Sequence, residues 1–137
     1  MSKEQALSET LPLIEFAEHA IGGDWEKIDL GAQGCALPSG KTGTMQAAGR
    51  LGPGVPAADQ SALLDRVAEE WGRHGHRPVR TVLPVIRGVQ VTRLHYSNVG
   101  RDHDEIYLEL MVATTGSTVD SRTRCAVDEA RYGTGEE

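Results

Sequence analysis

Ile106–Val127 reads IYLELMVATTGSTVDSRTRCAV. Ile106, Leu108, Leu110 and Val112 alternate with Tyr107, Glu109 and Met111, the two-residue period of a half-buried strand. Thr114–Ser117 supplies a turn. Val119, Ser121, Thr123, Cys125 and Val127 then share one side of a closing strand, with Arg122 and Arg124 on the other. Upstream, Pro78–Ser97 is rich in β-branched residues, with Pro84 and Gly88 marking a bend, bulge or edge. This half of the chain therefore predicts a three-strand antiparallel meander.

Before the meander, Leu63, Leu64, Val67, Ala68 and Trp71 recur at helical spacing behind Asp59, a suitable N-cap, and Gly75 suits the C′ position. The spacing predicts a helix over 60–74. Leu11, Ile14, Ala17 and Ile21 form a second apolar stripe over 11–21. Pro12 is tolerated there only in a first turn, so residues 1–9 read as a frayed start. Trp25, Ile28 and Leu30 suggest a short strand. Residues 40–58 hold many glycines and show no periodicity, which predicts a flexible surface loop, and 130–137 read as a polar tail. The expected fold is α+β: two helices packed on a three- to four-stranded antiparallel sheet. At 137 residues one domain is the natural reading.

Composition excludes several functions. With a net charge of −6 and basic residues scattered among acids, the chain lacks the basic face of a nucleic-acid binder. No apolar run approaches membrane-spanning length. Met1–Phe16 lacks the basic, apolar, small-residue layout of a signal peptide, so the chain either stays inside the cell or is a mature segment.

Gly34–Thr42, GCALPSGKT, imitates a phosphate-binding loop. Five residues separate Gly34 from Gly40 where four are required, and Gly-Lys-Thr runs into more glycine instead of opening a helix. A glycine-rich turn is the better reading, and no cofactor is expected. The two cysteines, Cys35 and Cys125, are compatible with one disulfide; two buried free thiols are the alternative. Two isolated cysteines are too few for a metal site and are not spaced for redox chemistry.

The order of Cys35, a glycine-rich segment, a helix ending Trp71-x-x-x-Gly75, a meander, and Thr123-x-Cys125-x-Val127 resembles small secreted or lipid-anchored actinobacterial domains of unknown function. The resemblance covers about residues 25–127 and implies that the two cysteines are bridged and that the setting is extracellular or the cell envelope. It implies no known chemistry.

Candidate sites are sparse. His74 and His76 flank Gly75, which breaks regular ligand geometry, and Asp102, His103 and Asp104 fall in a turn where solvated acids are ordinary; no metal is expected. No nucleophile motif accompanies His95. Arg93, Tyr107, Glu109, Arg122 and Arg124 can form a charged binding surface on the sheet, since arginine's planar fork suits carboxylates. The expected function is a non-catalytic secreted or envelope binding domain whose partner is a protein or small ligand. The alternatives are an intracellular, cytoplasmic acidic inhibitor of immunity type, favoured by the charge, and a small enzyme using His95 or His103.

Overall fold

The computed structural model describes residues 1–97 and 106–127. Helix α1 spans Lys3–Ile21, strands β1 and β2 span Glu26–Ala36 and Thr42–Gly52, and helix α2 spans Ala57–Arg73. Strands β3 (Val79–Val82), β4 (Thr92–Ser97), β5 (Tyr107–Val112) and β6 (Ser117–Arg122) follow. They form one antiparallel sheet in the order β1-β2-β6-β5-β4-β3. The α+β class and the two helices agree with expectation. Among the described residues the sheet has six strands rather than three or four.

One extra strand comes from the segment expected to be a loop, and the other from Pro78–Ser97, which holds both β3 and β4. Residues 42–52 of that 40–58 stretch are β2, paired on one side with β1 and on the other with β6. Its glycines sit where neighbours already fill the space above the strand. A Cβ on Gly43 would lie 2.9 Å from Cys125 Sγ, one on Gly49 3.0 Å from Asp120 Oδ1, and one on Gly52 would overlap the Trp25 ring. Glycine here marks close approach to a strand rather than looseness. The sequence resembling a phosphate loop is the turn of the β1–β2 hairpin. Leu37 N–H donates to Lys41 C=O at 2.7 Å, Gly40 takes φ +87°, and Thr42 opens a strand instead of a helix.

Helix α1 also starts earlier than expected. Ser2 and Gln5 close a capping box: Gln5 N–H donates to Ser2 Oγ at 3.1 Å, and Ser2 N–H to Gln5 Oε1 at 2.7 Å. The two N-terminal donors so satisfied hold the first turns in place, and Pro12 lies inside the helix. The residues before α1 also meet the segment after β6, where Val127 N–H donates to Met1 C=O at 3.0 Å.

Both helices pack on one sheet face. Leu13, Ile14 and Ala17 of α1 and Leu63, Leu64, Val67 and Trp71 of α2 meet Leu94, Leu108, Leu110, Val112 and Val119 of the sheet. Trp71 is fully buried, and its indole N–H donates to the Leu13 carbonyl at 3.1 Å, so the largest core side chain leaves no polar atom unsatisfied. Arg50 of β2 reaches into this layer and pairs with Glu18 of α1 at 3.1 Å.

Cys35 and Cys125 form a disulfide with Cα atoms 5.9 Å apart. It joins the end of β1 to the segment after β6, and both residues are buried.

Candidate functional site

The sheet face opposite the helices carries the polar side chains. In register across it run His95, Glu109 and Asp120 on β4, β5 and β6, ending at Gly49 of β2. Alternation puts Arg93 and His95, Tyr107 and Glu109, and Asp120 and Arg122 on this side. Among the described residues, no helix covers it.

Glu109 is the centre. It is 7% exposed, and a carboxylate so shielded requires partners. Arg93 Nε donates to Glu109 Oε2 at 2.6 Å and the Tyr107 hydroxyl donates to the same oxygen at 2.8 Å. Arg93 Nη2 also lies 3.4 Å from the Tyr107 hydroxyl. The Tyr107 hydroxyl and the Glu109 carboxylate hold the Arg93 guanidinium yet more firmly protonated. Burial, and secondarily its bond to Glu109, pushes the Tyr107 phenol up against the opposing pull of Arg93. Arg122 stacks over the Tyr107 ring with Cζ 5.1 Å from the centroid, a cation–π contact. Burial raises the Asp120 carboxyl and the neighbouring Glu109 charge adds to it, while Arg122 pulls it down. Asp120 is therefore a carboxyl that takes a proton more readily than usual, on a face with two arginines.

Of the residues expected to share a binding surface, Arg93, Tyr107, Glu109 and Arg122 are brought together. Arg124 is not. The regular strand ends at Arg122, and Thr123 turns inward: its hydroxyl accepts from Gln46 N–H at 2.9 Å and donates to Arg124 C=O at 2.9 Å. Burial still alternates through Cys125, but past the end of β6 Arg124 reaches α1 instead of the open face, with Nε 3.0 Å from Glu9 Oε1. There it lines a hollow of about 250 Å³ together with His74 and His76. Asp120 joins this group, and the alternation of Val119 and Ser121 puts it on the side of Arg122.

His95 lies beside Glu109 in register, yet its Nδ1 is shielded and has no hydrogen-bond partner among the described residues. No serine, threonine or cysteine side chain is hydrogen-bonded to it there. His103, Asp102 and Asp104 lie outside the described residues. Among the described residues, no three His, Cys, Asp or Glu side chains are grouped to hold a metal ion, and no helix is long and apolar enough to cross a membrane.

No protein-family profile and no curated relative matches the chain. The crystal structure of a DUF4853 family protein from Actinomyces odontolyticus ATCC 17982 is similar over 90% of this chain and 68% of that one, at 17% identity and a TM-score of 0.49. A likeness at that level decides neither fold nor function here.

Proposed function

We propose that the chain is a non-catalytic binding domain that works in an oxidising compartment, at the cell envelope or outside the cell. The observation that carries this reading is the buried Cys35–Cys125 bridge, because such bonds persist where glutathione and thioredoxin do not reduce them. The recognition surface is the open sheet face around Glu109, and its partner is a protein or small ligand bearing carboxylate groups. Support comes from the donors of Arg93 and Arg122: five N–H groups per guanidinium exceed what Glu109 and Tyr107 can accept. Glu109 and Tyr107 hold Arg93 in place, so less side-chain freedom is lost on binding.

The test is intact-mass spectrometry without reductant on protein taken from its native location. A mass two hydrogens below that of the reduced chain supports the reading. Two free thiols would remove the compartment assignment and leave the intracellular acidic inhibitor, which the net charge of −6 favours, as the better account. Hydrolytic activity abolished by His95→Ala would contradict the non-catalytic reading.

A further inference from the structure

Residues 71–97 contain Arg73, Arg77, Arg80, Arg87 and Arg93 and three histidines, with no aspartate or glutamate, in a chain whose net charge is −6. The fold places this stretch at one end of the sheet, in the last turn of α2, in β3, in the arm beyond it and in β4. Among the described residues β3 is the last strand of the sheet and pairs only with β4. Leu83 N–H donates to Val91 C=O at 2.9 Å, and Val82 stands opposite Thr92. That parity turns the peptide groups of residues 79, 81 and 83 toward β4 and those of Arg80 and Val82 outward. All four residues of β3 are exposed. Val79 (59%), Val82 (57%), Val85 (57%) and Ile86 (69%) leave apolar surface on and beside the same edge.

Arg93 is held by Glu109, and Arg73 by Glu69 and Glu70, which leaves Arg77, Arg80 and Arg87 more loosely committed around this edge. Arg80 contacts Asp65 at 2.6 Å, but Asp65 is 72% exposed, and such surface pairs contribute little. Arg77 and Arg87 are exposed and form no ion pair among the described residues. An edge left open among the described residues, apolar side chains and a local excess of arginine together specify an occupant.

We infer that β3 accepts an extended, acidic and apolar segment of a partner protein as a seventh strand. Its backbone pairs with Arg80 and Val82, carboxylates on one of its faces meet Arg80 and, past the ends of β3, Arg77 and Arg87, and the apolar side chains of its other face cover Val79. Charge selects a foreign partner over a second copy, because two-fold pairing of β3 with itself sets the same arginines against one another. This edge borders the Glu109 face at Val79 and Thr81, but the inference does not depend on the oxidising compartment.

The probes are two fluorescein-labelled, end-blocked heptapeptides, Glu-Val-Glu-Val-Glu-Val-Glu and its counterpart with lysine for every glutamate, titrated against the full chain by fluorescence polarisation. The acidic peptide is expected to bind at least about tenfold more tightly, and to weaken several-fold as salt is raised from about 50 to 500 mM. It should slow amide exchange at Arg80 and Val82 but not at Thr81, whose N–H already serves β4. Val82→Pro removes an outward N–H that the sheet does not use, and should cost about tenfold in affinity with the fold retained. If that variant fails to fold by circular dichroism, Arg77→Glu with Arg87→Glu is the second arm and should reverse the preference toward the lysine peptide. Equal binding of both peptides, unchanged binding by a folded Val82→Pro protein, or unaltered preference in the double variant would overturn the inference. So would self-association that protects the Arg80 and Val82 amides without peptide.

Discussion

β2 and β3 are opposite in composition and opposite in placement. β2 holds Gly43, Gly49 and Gly52 and only two β-branched residues, Thr42 and Thr44, yet it is hydrogen-bonded on both sides and anchors half of the sheet. β3 is Val-Arg-Thr-Val, rich in strand-forming residues, yet it is paired on one side and exposed at every position. The contrast separates two quantities that are easily merged. Strand propensity describes how side chains sit on a pleated surface. Central placement depends on whether neighbours can come close, and in β2 the missing side chains are what admit Cys125, Asp120 and Trp25.

If β2 is held by close approach, the largest loss follows from releasing what lies over it. Cys35→Ala with Cys125→Ala removes a link between residues 90 apart, and about 4 kcal/mol of stability should go with it, read as a lower denaturation midpoint in urea. Next, Gly43→Ala pushes a methyl against Cys125 Sγ and the Ala126 carbonyl, and should cost about 2–3 kcal/mol by the same measurement. A cost near zero would mean the strand is not tightly fitted. By contrast, Val79→Thr and Val82→Thr on the open edge should each shift stability by less than about 0.5 kcal/mol. A larger loss would show that β3 is covered.

The smallest effect concerns Asp120, whose folded pKa is raised. The folded chain then binds the proton more tightly than the unfolded chain does, so the ionised carboxyl opposes folding above the folded pKa and the penalty fades as pH falls toward the ordinary value of about 3.9. Asp120→Asn should raise the melting temperature slightly at pH 7, and that gain should shrink by about pH 4. A gain that persists unchanged at low pH would point to packing against Gly49 instead of charge.

Much of the molecule is legible in its local sequence. The stripe through Leu64, Val67 and Trp71 located α2 within a few residues, and the alternation of Ile106 through Val112 identified the buried face of β5. The early start of α1 was also written locally, in the Ser2–Gln5 capping box, but Pro12 was read as a boundary where the helix runs through it. Arg93, Tyr107, Glu109 and Arg122 were grouped from alternation within single strands. Their contacts were not readable, because the diagonal from Arg93 to Glu109 requires the β4–β5 register. Arg124 departs from the group for a related reason: β6 ends at Arg122, and the partner that draws Arg124 away, Glu9 of α1, is distant in sequence.

The sequence alone determined the elements whose burial repeats along one segment, and it supplied an even pair of cysteines. Only the tertiary structure decided which strand is central and which is an edge, which carboxylate is shielded, and that the sulfurs meet. Periodicity records an element's own burial, whereas pairing such as Ala47 with Arg122 is set by chain segments that meet only after folding.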